Sequence, residues 1–414
     1  MPRLTRRRAL QTLPLVAGVG VGFAGCLSVG RAPSDATGPP EHPPAIPRES
    51  IDGTWPSYRY DATGRGYAPD VSGPVAPVGE LWRAEVDAGE TTPAVADGTV
   101  YLSGDGLTAL DAATGDQRWQ MDLGRTFKSS PVIQDDTVYV GFEETVFAVD
   151  TAAAADGGGA VRWRYTMPSD EITSPVIADG TVVVGSGDSG GGSGAVHAID
   201  LDGGKRQWAQ SVDDWLGTMP VVSDGRTFFG TTGGDLYAVR LDDGTEVWTR
   251  SLDADFFHTF AVADETLYVP DDGGLLYAVD AETGETQWST RVGQPTERNA
   301  EVFSSPVAVD DERVYVGAGE ARLYAFDRES GESVWDFWAW NTVGSAPAVA
   351  GETVYVGSVD TTLYALDTAS GDVTWEFSTG GRLWRSTPAV VDEVVYIPAD
   401  GHYYAVAARE EGDG

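Results

Sequence analysis

The side chains best suited to binding or catalysis stand in short, non-repeating segments that separate a tryptophan from the next Ser/Thr-x-Pro triplet. Aromatic rings occur there beside carboxylates, amides and cationic groups. Such a mixture suits a flat or sugar-like ligand, or a peptide from a partner protein. The alternative is a set of merely packed or solvated loops. The predicted binding residues are Lys128, Glu171, Trp215, His258, Asn299, Glu301, Trp340, Asn341, Trp384 and Arg385.

A repeat must position these segments. One unit opens with Ser/Thr-x-Pro or a similar triplet, continues through runs such as Val-Tyr-Val-Gly and Leu-Tyr-Ala-Leu-Asp, and closes with a tryptophan. A period of roughly 40 residues with four short strands is typical of a propeller blade. The tryptophans that close the units are Trp82, Trp119, Trp163, Trp208, Trp248, Trp288, Trp335 and Trp375.

The two ends of the repeat predict how the ring closes. The last unit begins at Thr387-Pro388 and has neither a fourth strand nor a tryptophan, whereas Trp82 has no three strands before it. A strand around Trp82 can therefore complete the last blade and remove the open sheet edges. We predict an all-β, eight-bladed β-propeller of four-stranded antiparallel blades. A seven-bladed ring with an extra hairpin is the alternative.

The end of each unit follows the pattern Ala-x-Asp-x-x-Thr-Gly-x-x-x-Trp, as in Ala278 to Trp288. The glycine permits a turn with positive φ, the aspartate can accept hydrogen bonds from turn N–H groups, and the tryptophan buries a large area. We therefore assign all eight tryptophans a structural role as docking residues between blades. Degraded copies of the pattern, such as the one ending at Trp163, keep the alanine and the tryptophan, as packing requires.

This pattern resembles the tryptophan-docking motif of the pyrroloquinoline-quinone (PQQ) propeller repeat family, over nearly all of residues 78–407. Trp55 to Pro69 also resembles the lead-in that commonly precedes such propellers. The resemblance implies an eight-bladed propeller. The family includes quinoprotein alcohol dehydrogenases and BamB-like lipoproteins that assemble protein complexes.

Two functions follow from the resemblance. A quinoprotein dehydrogenase of alcohols or sugars would use PQQ and Ca²⁺, for which Glu301 or Glu171, Asn341 or Asn299, Arg385 and Trp215 are candidates. Against it, the disulfide between adjacent cysteines found in many such enzymes is impossible here, the blades are near minimal length, and no haem motif occurs. We therefore expect a non-catalytic binding or scaffold module that uses no cofactor or metal, with the PQQ- and calcium-dependent dehydrogenase as the alternative.

The N-terminus has the composition of an export signal and a lipid anchor. Arg6 to Arg8 precede an apolar stretch too short to span a membrane, and Phe23 to Cys26 resembles a lipobox. Cys26 is the only cysteine, so it can form no internal disulfide, and we predict that it carries lipid. An uncleaved anchor helix is the alternative. The predicted organisation is a twin-arginine-type lipoprotein signal peptide (residues 1–25), a disordered Pro/Gly-rich tether (residues 26–54) and the propeller (residues 55–409).

The net charge of −37 and the presence of only two lysines are typical of proteins from high salt, and suggest an archaeal halophile. An acidic protein from ordinary salt is the alternative. Nucleic-acid binding is disfavoured, because it requires a basic stripe that neutralises phosphates, and the sequence shows none. We expect a monomer on the extracytoplasmic face of the cell membrane that binds a protein or small-molecule ligand.

Overall fold

The computed structural model describes residues 41–86, 91–124, 129–157, 160–169, 171–188, 192–252, 255–292, 303–385 and 387–410. Eight sheets, each built on four antiparallel strands, follow one another along the described chain. One helix of five residues, Thr151–Ala155, interrupts the described strands. The prediction of an all-β, eight-bladed propeller is confirmed, and the seven-bladed alternative is wrong.

The strands of each blade are named A to D from the channel outward. The A strands are Ala94–Ala96, Val132–Gln134, Val176–Ala178, Val221–Ser223, Ala261–Ala263, Phe303–Val309, Ala348–Ala350 and Ala389–Val391. The B strands are Thr99–Gly104, Thr137–Phe142, Thr181–Gly187, Arg226–Gly230, Thr266–Pro270, Arg313–Ala318, Thr353–Gly357 and Val394–Ala399.

The outer half of each blade consists of a C and a D strand. The C strands are Gly106–Asp111, Thr145–Asp150, Gly194–Asp200, Asp235–Arg240, Leu275–Asp280, Arg322–Asp327, Thr362–Asp367 and His402–Ala408. The D strands of blades 1 to 7 are Gln117–Met121, Val161–Thr166, Arg206–Val212, Glu246–Ser251, Thr286–Arg291, Ser333–Trp338 and Val373–Ser378. Two short additions, Tyr67–Ala68 and Glu171–Ile172, pair with strands of blades 7 and 3.

The D strand of blade 8 comes from the start of the propeller. Val78–Ala84 pairs antiparallel with His402–Ala408, with Trp82 opposite Ala405. The ring therefore closes by joining the first and last strands, as predicted. Closure in this way leaves no unpaired edge between the last blade and the first.

The strands form where β-favouring residues are buried on both faces by the neighbouring blades. In blade 7, Val354 and Val356 are fully buried against blade 6, while Tyr355 is buried on the opposite side of its strand against blade 8. The sequence pattern thus predicts the strands of this blade to within one or two residues.

The tryptophans join each D strand to the next blade. The Nε1–H of Trp248 donates to the carbonyl of Ala281 at 3.1 Å, and a Cβ on Gly284 would lie 2.8 Å from the Trp248 ring. Gly284 has φ +72°, so a side chain there would be strained as well as crowded. The same donation to a carbonyl of the next blade is made by Trp82, Trp163, Trp208, Trp288 and Trp335, while Trp375 donates to Pro74.

Residues 55–72, here called the lead-in segment, run beneath the A strands at the end of the channel opposite the D–A loops. Its carbonyls accept hydrogen bonds from A-strand N–H groups of six blades, and Ser72 accepts one from Glu393 in blade 8. The buried Arg59 side chain donates to the carbonyls of Pro347 and Val307. The lead-in segment therefore crosses the channel and blocks this end. The six A-strand donors are Val95, Ile133, Val222, Val262, Val309 and Val349.

Packing begins before the expected start of the propeller at residue 55. The N–H of Ala45 donates to Glu80 at 2.9 Å, and Ile51 is 1% exposed. The carboxylate of Asp392 accepts hydrogen bonds from the N–H groups of Asp52 and Gly53 at 2.8 and 2.7 Å. Residues 43–53 are therefore held against blade 8, and only residues before them remain for a tether.

The high negative charge predicts a salt-dependent fold. Most described ion pairs join exposed side chains, for example Arg240 and Asp242, and contribute little to stability. Unscreened repulsion among the carboxylates should therefore dominate at low salt. We expect the melting temperature to rise by roughly 10 °C or more between 0.2 and 3 M KCl, as the screening length shrinks. A melting temperature independent of KCl in a thermal scan would contradict this expectation.

Candidate functional site

The D–A loops surround a cavity of about 680 Å³ at the open end of the channel, here called the mouth cavity. Trp215 and Phe257 provide aromatic faces, His258 and Arg385 provide polar groups, and Tyr58 from the lead-in segment contributes to its lining. A volume of this size is within the range of small-molecule sites. The cavity is blind, since the lead-in segment closes the other end of the channel.

A partial ring of hydroxyl groups joins neighbouring blades, and two of its members, Ser130 and Ser174, line the cavity. The N–H of Thr387 donates to Thr92 Oγ1 at 2.7 Å, that of Thr92 to Ser130 Oγ at 3.0 Å, and that of Ser130 to Ser174 Oγ at 2.9 Å. Each bond joins one blade to the next. Because the hydroxyl oxygens act as acceptors in these bonds, the hydrogen of each hydroxyl is still available for donation. The ring comes from the Ser/Thr-x-Pro triplets, which the sequence prediction used only to mark the start of each unit.

His258 is held in its neutral form. Its side chain is 16% exposed, and its Nε2–H donates to the carbonyl of Phe303 at 3.3 Å. Burial lowers the pKa of His258 to about 4, and the positive charge of Arg385 acts in the same direction. His258 therefore offers hydrogen bonding at neutral pH rather than charge.

This shift predicts a pH-dependent stability. Between pH 6.5 and pH 4, the imidazole of His258 binds a proton in the unfolded chain but not in the folded one, so stability falls as pH falls. Because of His258, we expect the free energy of unfolding to fall by about 2 kcal/mol when the pH is lowered from 7 to 4.5. A His258→Gln variant should lack this contribution. Denaturant titrations at both pH values measure it, and identical pH dependence in the two proteins would contradict it.

Arg385 and Tyr58 approach the cavity from different parts of the chain. Arg385 has φ +57°, and its N–H donates to the carbonyl of Gly344 at 2.9 Å, which fixes the backbone at the rim. Burial raises the pKa of the Tyr58 phenol, which keeps its proton and hydrogen-bonds with Thr387. None of the described residues that line the cavity carries a carboxylate. The mouth cavity thus combines aromatic faces with hydrogen-bond donors inside a highly acidic protein.

The structure brings three of the predicted binding residues together at the mouth cavity: Trp215, His258 and Arg385. Glu171 lies beside Trp215 in a smaller pocket of about 200 Å³. Trp384 is half-buried and its ring covers Gly344, where a Cβ would lie 2.3 Å from it. Glu171 and Trp384 therefore border the cavity without lining it.

The remaining predicted residues divide into two groups. Trp340 is 90% exposed, and Asn341 is exposed with its side-chain oxygen accepting from the Thr342 N–H at 2.8 Å. Neither lines the mouth cavity. Lys128, Asn299 and Glu301 lie outside the described residues.

The described lining fits one part of a PQQ–calcium group and not the other. The Trp215 ring, the hydroxyl groups and Arg385 suit a flat molecule that carries acceptor oxygens. Ca²⁺ requires several oxygen ligands, normally including carboxylates. The described lining supplies no carboxylate, and no cluster of three His, Cys, Asp or Glu side chains suited to a metal occurs in the described part of the chain.

Comparison with known proteins identifies relatives of the propeller. The family described as outer membrane protein assembly factor BamB matches residues 78–157, 107–193, 192–304 and 296–411. The serine/threonine-protein kinase AfsK of Streptomyces griseus is 30% identical over 161 residues, a match that covers 34% of this chain and 19% of the kinase. This chain therefore spans about a fifth of that kinase.

Two solved structures share the fold. BamB from Moraxella catarrhalis has a TM-score of 0.63 at 20% identity, with 82% of this chain and 100% of that chain covered. The quinohemoprotein alcohol dehydrogenase from Comamonas testosteroni has a TM-score of 0.69 at 16% identity, with 87% of this chain and 82% of that chain covered. At these identities the likeness shows the fold alone.

Proposed function

Since this chain belongs to the family described as outer membrane protein assembly factor BamB, we propose that it is a non-catalytic binding module that holds a protein partner or small ligand at its channel mouth. The mouth cavity carries this proposal. Trp215 and Arg385 converge there beside Phe257, and tryptophan and arginine are enriched among the residues that dominate the energetics of protein interfaces. Because the far end of the channel is closed, a ligand would enter and leave the cavity at the mouth and would not pass through the ring.

The rigid surroundings of the cavity support a binding role. The hydroxyl ring ties blades 8, 1, 2 and 3 together at the channel wall, and the backbone of Arg385 is held by the bond from its N–H to Gly344. A preformed site loses less conformational entropy when a ligand binds. The partner would therefore meet a surface that is already arranged.

The proposal includes a lipid anchor on the extracytoplasmic side of the cell membrane. The apolar stretch that ends at Cys26 and the Pro/Gly-rich residues after it support this location. Within the described residues, the structure contains no helix that is long and apolar enough to cross a membrane. The signal peptide, the lipid and the salt-rich habitat remain parts of the proposal.

Photo-crosslinking from the mouth tests the binding role. A p-benzoylphenylalanine at Phe257, which is 45% exposed, should crosslink one partner in native membranes. The matched control places the probe at Val373, which is 42% exposed at the start of the D strand of blade 7, the end away from the D–A loops. We expect the Phe257 crosslink to fall at least tenfold when Trp215→Ala and Arg385→Ala are combined.

Two results would overturn the proposal. One is a crosslink of equal strength from Phe257 and Val373, which would place binding outside the mouth. The other is a Phe257 crosslink that the double variant leaves unchanged. The double variant should keep the melting temperature of the unmodified protein, since Trp215 and Arg385 line the cavity and the docking tryptophans between the blades are unchanged.

A PQQ-dependent dehydrogenase is the second candidate. The shared fold with a quinohemoprotein alcohol dehydrogenase and the aromatic, arginine-bearing cavity favour it. When bound, PQQ would supply the hydride or electron acceptor. Trp215 and Arg385 would hold its ring and its oxygens. The lack of a carboxylate in the described lining, and a single cysteine in the whole chain, favour the binding role instead.

A further inference from the structure

Two tryptophans on the outer part of blade 6 are exposed to solvent. Trp338, the last residue of the D strand Ser333–Trp338, is 61% exposed, and Trp340 is 90% exposed. Exposed apolar side chains that stand singly are ordinary, but large ones grouped on one element mark an interaction surface. Trp338 and Trp340, here called the blade 6 tryptophans, are two residues apart in the chain.

The repeat itself shows that packing does not require the blade 6 tryptophans. Trp338 is the third residue after the docking tryptophan Trp335, and the other seven units carry a polar residue at this position. Trp340 is the fifth residue after Trp335, where the other units carry aspartate, glycine or proline. Every unit still forms the same four strands, so the blade does not depend on the two rings. The seven polar residues are Glu85, Asp122, Thr166, Ser211, Ser251, Arg291 and Ser378.

The backbone at Trp338 belongs to a free sheet edge. The N–H of Ala339 donates to the carbonyl of Ala321 at 2.9 Å, just beyond the pair formed by Trp338 and Arg322. Hydrogen-bonded pairs alternate along an antiparallel ladder, so the N–H and C=O groups of Asp336 and Trp338 point away from the C strand. Within the described residues, the D strand of blade 6 pairs only with its own C strand. Such an edge can accept a further strand.

Blade 8 shows the same kind of edge occupied by an extended peptide. Its D strand, Val78–Ala84, is covered by residues 43–46 of this chain. The N–H of Glu80 donates to the carbonyl of Pro43 at 3.1 Å, and the N–H of Ala45 donates to the carbonyl of Glu80 at 2.9 Å. The covering residues are uncharged. A D-strand edge of this propeller is therefore able to hold an extended, uncharged segment.

Trp338 is held in place by a neighbouring cation. The Cζ atom of Arg322 lies 3.8 Å from the centroid of the Trp338 ring, and the Arg322 guanidinium donates to the Asp336 carboxylate at 2.7 Å. A side chain that is already ordered loses less conformational freedom when a partner binds. Trp338 is therefore arranged as an anchor, a role in which tryptophan is enriched at protein interfaces.

Acidic side chains lie beside Trp340. The carboxylate of Asp360 accepts from the Trp340 N–H at 2.9 Å and from the Tyr364 hydroxyl at 3.0 Å. Glu376, on the D strand of blade 7, pairs with Tyr364 and is exposed. These carboxylates and the net charge of −37 oppose the approach of a second copy of this chain. They favour a partner that is neutral or basic.

We infer that the outer edge of blade 6 binds an extended, neutral or basic segment of a partner protein as an added strand. The segment pairs with the outward N–H and C=O groups of Asp336 and Trp338, and its apolar side chains pack against the blade 6 tryptophans. This inference goes beyond the proposed function, because neither tryptophan lines the mouth cavity.

A phage library of random dodecapeptides, selected on the purified protein in high salt, tests this inference. We expect enriched peptides with alternating apolar residues and few carboxylates. A synthetic copy of one should bind at least tenfold more weakly when Trp338→Ser and Trp340→Gly are combined, which gives blade 6 the residues of blade 7. Both rings are exposed, so the melting temperature should stay near that of the unmodified protein. Val373→Ser, at a 42% exposed position on blade 7, is the matched control and should bind the peptide unchanged.

Two further measurements isolate the backbone pairing. N-methylation of alternate peptide residues removes the N–H groups on one side of a strand, so one of the two alternating patterns should weaken binding at least tenfold. Asp336→Pro removes an outward N–H at an edge position, where proline is tolerated, and should also weaken binding. Asp336→Ala keeps the N–H and should bind more tightly than Asp336→Pro.

Three results would overturn the inference. They are a selection that enriches no peptide over the double tryptophan variant, peptide binding that this variant leaves unchanged, and equal binding by both N-methylated peptides and the unmodified one. Loss of peptide binding when Trp215→Ala and Arg385→Ala are combined would also overturn it, while supporting the proposed function at the mouth. A dimer in sedimentation that the double tryptophan variant abolishes would assign the edge to a second copy instead.

Discussion

Replacing Trp82 with alanine should lower the free energy of unfolding by about 3–5 kcal/mol, because it removes a buried indole and leaves a cavity. Trp82 is 7% exposed, and its Nε1–H donates to Ala112 of blade 1 at 2.8 Å. Its ring also packs near Tyr396 and Tyr403 of blade 8. Because Trp82 lies on the strand that closes the ring, its loss weakens the joint between the first and last blades. Denaturant titration in high salt measures the change.

Trp119 provides a matched control for this prediction. It occupies the same position in blade 1, but it is only half-buried, and the described residues show no hydrogen bond from its Nε1. Blade 2, which follows the blade of Trp119, carries the helix Thr151–Ala155 in place of the usual turn. We expect Trp119→Ala to lower the free energy of unfolding by about 2 kcal/mol, since this substitution removes less buried apolar surface than Trp82→Ala does. A larger loss for Trp119→Ala than for Trp82→Ala would contradict the idea that ring closure depends on Trp82.

Replacing Cys26 with serine should move the protein from the membrane fraction to the soluble fraction. Each buried methylene of an attached lipid contributes about 0.8 kcal/mol, so a two-chain anchor holds a protein firmly and its loss releases it. Fractionation of cells that produce each variant measures the change. Ser28→Ala, two residues further along, is the matched control and should stay with the membrane.

Intact mass gives an independent check on the anchor. The mature membrane protein should begin at a lipid-bearing Cys26, with residues 1–25 removed. An unmodified thiol at Cys26, or a Cys26→Ser protein that remains in the membrane fraction, would contradict the lipid anchor. The second result alone would favour the uncleaved apolar helix instead.

The sequence predicts the propeller well because its information is repeated. The blades contain runs similar to Val-Tyr-Val-Gly and Leu-Tyr-Ala-Leu-Asp. A copy that departs from this pattern can therefore still be assigned to a blade by comparison with the other copies. Packing then requires tryptophan and glycine at fixed positions, as Trp248 and Gly284 illustrate. The closure by Trp82 follows from counting strands and needs no knowledge of side-chain geometry.

The mouth cavity is only partly predictable, because its residues come from parts of the sequence that do not repeat. Loop position identifies Trp215, His258 and Arg385, but it does not fix the direction of a side chain, and Trp340 points into solvent. Tyr58 reaches the cavity from a segment that precedes every blade. Its place depends on the path of the lead-in segment across the channel, which no local pattern contains.

The sequence pattern did not predict the hydroxyl ring, and the reason differs from that for the mouth cavity. Its residues are repetitive, and the sequence displays them at Thr92, Ser130 and Ser174. Their contribution appears only when neighbouring blades bring one backbone N–H to the next hydroxyl, as between Thr92 and Ser130 at 3.0 Å. Such contacts join residues that lie a whole blade apart in the chain.

Dye reduction in the presence of PQQ and Ca²⁺ tests most directly whether the mouth cavity binds without catalysing. The purified protein is incubated with both in high salt, and reduction of an electron-accepting dye is followed with alcohols and sugars as substrates. The binding role predicts no turnover above that of PQQ and Ca²⁺ without protein, and none that changes with Arg385→Ala. Robust substrate-dependent turnover that Glu301→Gln or Arg385→Ala abolishes would contradict it and establish the dehydrogenase.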